Sequence, residues 1–197
     1  MSDYGAITDI GETLIELLRD NMEDLIPKQS IVLASPGEIE DKDNVRLSLF
    51  LYQVIENVHL KNQEMQMKNS TTIIFPPIAL DLYYMLTSHI SSGEHDLTEK
   101  TREEHSILGR AIQILNDNPT LTGSVLKGNL DRNEAFHMSI TSLSLDDLSK
   151  IWTTFQGKPF RPSICYLVTP VMIGSGREIT VHRVVSKEAG YNRIVPE

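Results

Sequence analysis

The run VRLSLFLYQVIEN (residues 45–57) decides the fold class, because apolar side chains occur on both faces of one extended segment. One face would carry Leu47, Leu49, Leu51, Gln53 and Ile55, and the other Arg46, Ser48, Phe50, Tyr52, Val54 and Glu56. A long strand that is partly apolar on both faces is typical of a sheet that is covered on both sides. We therefore predict a central strand here, with helices packed on the sheet.

Three segments with apolar side chains at helical spacing supply the covering helices. The first covers residues 4–21, the second ends before Pro119, and the third follows Ser144, which can cap it. The predicted buried side chains are Ile7, Ile10, Leu14, Leu17 and Leu18 in the first helix, Ile107, Leu108, Ala111, Ile112 and Leu115 in the second, and Leu145, Leu148, Ile151, Trp152 and Phe155 in the third.

The second helix contains EEHSILGRAIQILNDNP (103–119), whose two carboxylates and histidine are typical raw material for acid–base catalysis. Thr101 and Glu104 fit a capping box, which gives these carboxylates a structural use at the start of a helix. Gly109 costs about 1 kcal/mol relative to alanine in a helix, so we expect another backbone to approach it. We expect Arg110 to form an ion pair or to cap a loop carbonyl.

Further extended segments are predicted at residues 30–36, 78–90, 135–143, 157–175 and 177–186. Because proline cannot donate a hydrogen bond, Pro170 requires a bulge or an edge position. The last two segments are predicted to pair as a hairpin around the turn at 174–176. Residues 59–71 have no period and are predicted to be a loop or hairpin tip, whose Met65 and Met67 would contact a partner.

The order of these elements predicts an α/β fold: a single-domain sandwich with a mixed β-sheet and about three packed helices. The length of 197 residues suits one compact domain. We assign residues 1–175 to this domain and residues 176–197 to a C-terminal strand and tail.

Composition excludes several classes of function. A net charge of -9 argues against a nucleic-acid binder, which needs a basic surface to displace counterions from phosphates. Cys165 is the one cysteine, so an internal disulfide is excluded and a buried, hydrophobic role is expected. No secretory signal follows Met1, and no apolar run approaches the length of a membrane span. These features predict a protein that folds in a cytosol.

The sequence carries no recognised catalytic or ligand-binding pattern. The run GSGREI (174–179) lacks the third glycine of the dinucleotide fingerprint, and a strand rather than a helix follows it. His89, His95 and Asp96 are close in sequence, but zinc needs three or four convergent ligands. His105 has no nucleophile tied to it, so we interpret it as a surface or interface residue. We therefore predict no catalytic, metal or cofactor site.

Five blocks of sequence, in this order, carry a family resemblance. They are LFLYQVIEN, PPIALDLYYMLT, EEHSILGRAIQILNDNP, SLSLDDLSKIW and FRPSICYLVTPVMIGS. They resemble the N-terminal domain of cap, or tail-terminator, proteins of extracellular contractile injection systems of the virulence-cassette and antifeeding-prophage type. The resemblance covers residues 4–175, and the block from His105 to Pro119 is specific.

The resemblance implies a tail-terminator-like fold and a structural role without catalysis. Such a protein would form a hexameric ring on the last layer of the inner tube, end tube growth and anchor the terminal ring of the sheath. Its partners would be the inner tube protein and the sheath protein, with no nucleic acid or membrane. It would cap the particle either alone or beside a second, longer cap protein. It would assemble in the cytoplasm and then become part of an injection particle. The alternative is a small enzyme or ligand-binding domain whose site combines His105, His137 and Tyr84.

The C-terminal run REITVHRVV (177–185) suits strand addition to a neighbouring protein, because it alternates and is rich in β-branched residues. It lies in the locally basic segment of an acidic chain, which favours an acidic neighbour. The residues predicted to contact the sheath or a neighbour are Arg177, Ile179, Val181, Arg183, Val185, Lys187 and Arg193. An edge strand of the domain's own sheet is the alternative, and the two interpretations are compatible.

Overall fold

The computed structural model of the protein describes residues 2–40, 42–90 and 96–180. The α-helices are α1 (Ala6–Asn21), α2 (Leu97–Asp117) and α3 (Leu145–Trp152). The strands are β1 (Ile31–Leu33), β2 (Leu47–Glu56), β3 (Gln66–Asn69), β4 (Thr72–Ile74), β5 (Ile78–Ser88), β6 (Thr120–Thr122), β7 (Ala135–Thr141), β8 (Ser163–Ile173) and β9 (Glu178–Thr180).

The strands form two sheets. The larger sheet has six strands in the order β1-β2-β5-β8-β7-β6, and β1 runs parallel to β2 while the other pairs are antiparallel. The smaller sheet has the order β3-β4-β9 and is antiparallel. A mixed sheet with three helices confirms the predicted α/β sandwich.

Helices α1 and α2 cover one face of the large sheet and bury most of the apolar side chains. On β2 and β5, the fully buried contributors to this layer are Leu47, Leu49, Leu82, Tyr84 and Leu86. The predicted stripe of α1 lies against them, because Ile10, Leu14 and Leu18 are at most 1% exposed. Each fully buried leucine or isoleucine stabilises the fold by about 1.5–3 kcal/mol, so this layer dominates the stability of the protein.

Helix α3 covers part of the opposite face. Trp152 and Phe155 pack at its C-terminal end with their ring centroids 5.3 Å apart, against Met85 and Cys165 of the sheet. The predicted cap is confirmed, because the Asp147 N–H donates to Ser144 Oγ at 3.1 Å. Leu145, which was predicted to be buried, is 71% exposed. It occupies the first turn of a short helix whose other end packs on the sheet.

Strand β2 contains a bulge that changes the predicted faces. Leu51 pairs with Tyr84 and Gln53 pairs with Tyr83, which leaves Tyr52 as the extra residue. A bulge shifts the side-chain alternation by one position. The prediction that Gln53 and Ile55 share a face with Leu47 is therefore wrong, and Val54 takes that face instead. The two covered faces are correctly predicted for the first half of the strand.

Strand β8 contains the irregularity that Pro170 was predicted to require. Leu80 pairs with Val171, whereas Leu82 pairs with Val168, so Thr169 and Pro170 both lie opposite Asp81. The bulge places the residue that lacks an N–H outside the regular ladder. This prediction is confirmed.

Helix α2 begins earlier than the predicted capping box. Its N-cap is Asp96, which accepts a hydrogen bond from the Thr98 N–H, and Thr101 lies inside the helix. Beyond its chain neighbours and the nearby backbone of α2, no atom of the described residues lies within 4 Å of a Cβ built at Gly109, so the expected approach of another backbone is wrong. Arg110 does cap a carbonyl, because its Nη2 donates to the Asn21 oxygen at the end of α1 at 3.3 Å.

The predicted hairpin between residues 157–175 and 177–186 is wrong. Strand β9 pairs with β4, through Ile73 opposite Ile179, instead of pairing with β8. The residues 174–177 carry the chain away from the large sheet, and the Gly174 N–H donates to the Ser2 carbonyl at 2.9 Å. The chain after β8 therefore joins the β3–β4 hairpin. Residues 59–71, which were predicted to be a loop or a hairpin tip, contain β3 and the turn of this hairpin.

Candidate assembly surfaces

The residues of the enzymatic alternative lie apart. Tyr84 is 1% exposed beneath α1 and α2, His105 is exposed on the outer side of α2, and His137 is exposed on the opposite face of the sheet. Within residues 2–40, 42–90 and 96–180, no group of three or more His, Cys, Asp and Glu side chains could hold a metal ion. His95 lies outside the described residues. The geometry does not support an enzyme site built from these residues.

The carboxylates at the start of α2 serve the fold. Glu104 is 4% exposed and accepts a hydrogen bond from Arg161 Nη1 at 2.9 Å. Glu103 accepts from Arg46 Nη1 at 2.8 Å, and Arg46 also donates from Nε to the His89 carbonyl at 3.2 Å. These contacts fasten α2 to the start of β2, the end of β5 and the loop before β8. Two buried or half-buried ion pairs therefore explain the acidic pair that looked catalytic in the sequence.

His89 is a neutral, buried member of the same cluster. Its Nε2 lies 2.8 Å from Ser48 Oγ, and the side chain lines a cavity of about 330 Å³ with Trp152, Lys158 and Arg161. Burial, with the positive charges of Arg161, Lys158 and Arg46, lowers the pKa of His89 to about 4. An imidazole that stays uncharged near neutral pH does not repel the three cations around it.

The predicted C-terminal contact segment begins on an exposed strand. The Arg177 guanidinium lies 4.1 Å from the centre of the Phe75 ring, and Glu178 forms an ion pair with Lys68. Every residue of β9 is exposed, including Ile179, and β9 is an edge of the small sheet as far as the structure describes it. The other predicted contact residues are Val181, Arg183, Val185, Lys187 and Arg193, which lie outside the described residues.

The small sheet exposes apolar side chains on one of its faces, where they lie opposite one another on neighbouring strands. Met67 pairs with Ile73, and Ile73 pairs with Ile179, so the three side chains form one row across the sheet. Met67 is 61% exposed and Ile179 is 39% exposed. No residue of β3, β4 or β9 is buried. We call this row the Met67–Ile73–Ile179 face.

A groove of about 640 Å³ runs beside β1, at the edge of the large sheet. Its apolar part is formed by Ile15 of α1 and Leu33 of β1, and Leu33 is 46% exposed. Arg19 donates from Nη2 to the Ile31 carbonyl at 2.8 Å and thus covers part of the strand edge. The residues that line this α1–β1 groove are Glu12, Ile15, Glu16, Arg19, Leu33, Lys127 and Gly128.

No helix in the described part of the chain is long and apolar enough to span a bilayer. Exposed apolar side chains on strand edges are typical of contacts with other proteins, and the two surfaces described above carry such side chains.

Comparison with known proteins gives a family and several similar structures, two of which show the extent of the shared fold. The model of the Pvc16 N-terminal domain family matches residues 9–187. The sheath/tube terminator of PVC, an extracellular contractile injection system, in its extended state has a TM-score of 0.69 and 15% identity, over 99% of this chain and 66% of that chain. The anti-feeding prophage cap, a tube-terminating cap, has a TM-score of 0.61 and 16% identity, over 93% of this chain and 61% of that chain. The chain thus spans less than two thirds of either protein. No curated protein sequence matches it.

Proposed function

Since the chain belongs to the Pvc16 N-terminal domain family, we propose that it is a structural cap, or tail terminator, of a phage-tail-like contractile injection system. The observation that carries this proposal is the shared fold. Nearly the whole of this chain superimposes on the PVC sheath/tube terminator. In the described residues no group of His, Cys, Asp and Glu side chains could hold a metal ion, and His105, His137 and Tyr84 lie apart, which is compatible with a structural role.

In this function the protein forms a hexameric ring on the last layer of the inner tube. Heterologous contacts between identical subunits generate a ring when the rotation closes, and a tube end supplies the template for that rotation. The outer side of the ring presents a surface that differs from that of a tube subunit. Further tube subunits therefore do not add to it, and tube growth ends. The partners are the inner tube protein, the sheath protein and a second, longer cap protein.

The same ring anchors the sheath through residues 176–197. An exposed strand edge on the last sheath ring would accept an added strand, with main-chain hydrogen bonds supplying affinity. Strand β9 starts this segment at an exposed edge next to the Arg177 and Glu178 side chains, and it carries the alternation that such an addition requires. The ring assembles in the cytoplasm and then remains part of the injection particle.

Deletion of the gene tests this function. Without a terminator, tube and sheath are expected to grow past their normal length or to lose the sheath, so electron micrographs should show irregular particles. Restoring the gene should restore uniform particles. Normal length and an intact sheath in the deletion strain would overturn the proposal, and so would the absence of the protein from purified wild-type particles.

A further inference from the structure

Several of the large apolar side chains that are exposed in the described residues lie at one end of β2. Val54 and Ile55 lie in the last part of β2, and Ile78 opens β5 beside them. The β3–β4 hairpin connects these strands and carries Met65 and Met67. Such a concentration on one side of a protein is typical of a surface that another protein covers.

The small sheet needs a covering partner for a second reason. A small sheet gains stability from a hydrophobic face that is packed against another layer. Here the Met67–Ile73–Ile179 face has such apolar side chains, yet none of them is buried within one copy of the chain. Methionine adapts its shape to irregular partner surfaces and is enriched in interfaces.

Charge favours a second copy of this chain as the partner. The whole chain has a net charge of -9, so most approaches of two copies are repulsive. Around the small sheet, Lys61 forms an ion pair with Glu56 and Lys68 with Glu178, while the Arg177 guanidinium lies over the Phe75 ring. The α1–β1 groove is balanced in the same way, with Arg19 and Lys127 against Glu12 and Glu16. Both surfaces can approach an identical subunit without the general repulsion.

The two surfaces lie at opposite ends of β2. Strand β1 pairs with Leu47 to Leu49, whereas the hairpin with Met67 follows Glu56. At about 3.3 Å per residue, these points are separated by roughly 20 Å along the strand. One copy cannot close this contact on itself, so it needs a second copy. In the proposed ring each face meets the groove of the next copy, which is a heterologous contact.

We propose that the Met67–Ile73–Ile179 face of one copy packs into the α1–β1 groove of the next copy, against the exposed Leu33 side chain and beside Ile15, which is itself only 4% exposed. This inference rests on the proposed ring and identifies its subunit interface. The apolar row covers the apolar part of the groove, while the balanced charges of each surface remain at the rim of the contact.

Cross-linking in purified particles tests the pairing. The doubly substituted protein Met67→Cys/Leu33→Cys is treated with a short bis-maleimide and separated under denaturing conditions. The natural cysteine does not compete, because Cys165 is 3% exposed and burial raises the pKa of its thiol. We expect a ladder of cross-linked species that extends beyond the dimer, because each copy offers one donor and one acceptor position.

The matched control is Gln66→Cys/Leu33→Cys, since Gln66 pairs with Ile74 and points to the other face of the small sheet. This control and Met67→Cys alone should remain monomeric. Dimers from Met67→Cys alone, a ladder from the Gln66 control, or no ladder from protein that is present in the particles would each overturn the pairing. Absence of the wild-type protein from purified particles would instead contradict the proposed function.

A second measurement does not depend on cross-linker geometry. Met67→Lys places a charge in the contact, whereas Gln66→Lys places the same charge on the opposite face at a similarly exposed position. We expect Met67→Lys to reduce the number of copies retained per particle by about tenfold, as for loss of a central apolar contact. Gln66→Lys should retain the wild-type number. Equal retention of both variants, each folded, would overturn the inference.

Discussion

Glu104 and Arg161 form an ion pair of 2.9 Å that joins the first half of α2 to the loop before β8. The carboxylate side chain is 5% exposed and the guanidinium 21% exposed, so the pair is largely shielded from water. Removing one partner of such a pair leaves the other charge without compensation, which costs more than the intact pair contributes. The pair therefore stabilises the contact between α2 and the loop before β8, which are far apart in sequence.

Glu104→Gln should lower the free energy of unfolding by about 2 kcal/mol, because Arg161 loses its charged partner in a site with little water. Urea denaturation measures this difference. The control is Glu16→Gln, which breaks the more exposed pair with Arg19 and should cost at most about 0.5 kcal/mol. If both variants lose an equally small free energy of unfolding, the Glu104–Arg161 pair stabilises the fold no more than an exposed ion pair does.

Gly128→Ala should destabilise the protein more than Gly123→Ala, although both glycines have a φ of 64°. The positive φ costs each alanine variant about 1 kcal/mol. At Gly128, a Cβ would also lie 2.2 Å from the Asp9 carboxylate, which accepts the Asn129 N–H at 2.8 Å. At Gly123 the Cβ would meet open space.

The expected loss is about 3 kcal/mol for Gly128→Ala, because the displaced Asp9 leaves its hydrogen bond as well. Both values follow from urea denaturation of the two variants beside the wild type. If the two glycines respond alike, Asp9 moves aside without cost and the contact with residue 128 does not stabilise the fold.

The stability of the protein should fall as the pH drops from about 6.5 towards 4, in part because of His89. The folded state holds His89 neutral down to a pKa of about 4, whereas the unfolded chain binds a proton near 6.5. The unfolded state therefore binds more protons in this window, and stability rises with pH across it. The His89 titration changes the free energy of unfolding by at most about 3 kcal/mol, and this stability is present in full above a pH of about 6.5.

His89→Gln removes this titration and keeps a polar group beside Ser48. The free energies of unfolding of the variant and the wild type should be compared by urea denaturation at several pH values from 4 to 7. The difference between the two proteins isolates His89 from the carboxylates that also titrate. A difference that does not change with pH would contradict the neutral, buried histidine.

Several features of the fold followed from local sequence because local chemistry determines them. Ser144 caps α3 through the backbone N–H of Asp147, three residues on, and Pro170 lies in a bulge because it has no N–H. The alternation of β2 correctly gave both covered faces up to Leu51. Beyond Leu51 the extra residue, Tyr52, exchanges the two faces of the strand. The alternation of apolar and polar residues in a sequence does not show where such an extra residue is inserted.

Other features depended on partners that are distant in sequence. Thr101 and Glu104 match a capping box, but Asp96 starts the helix, and Glu104 is buried against Arg161 instead. Strand β9 alternates as predicted, yet its partner β4 lies about a hundred residues earlier and was not recognised as a strand. The apolar row of the small sheet was missed for the same reason. Only Met65 and Met67, which were predicted to contact a partner, indicated an exposed apolar surface there.

Two truncations separate the roles of β9 and the tail. A chain that stops after Ser175 loses β9, whereas a chain that stops after Thr180 keeps it and lacks only residues 181–197. The six-stranded sheet and its buried layer involve neither segment, so both proteins should be soluble and should unfold cooperatively in urea. If the tail anchors the sheath, both truncations should give particles that shed it.

The shorter chain should also be cleaved faster by protease in the β3–β4 hairpin, because that hairpin loses its third strand and two-stranded hairpins are marginally stable in water. Particles with a firmly attached sheath after either truncation would show that residues 176–197 are not the anchor. Insoluble protein from the shorter chain alone would assign β9 to the stability of the domain.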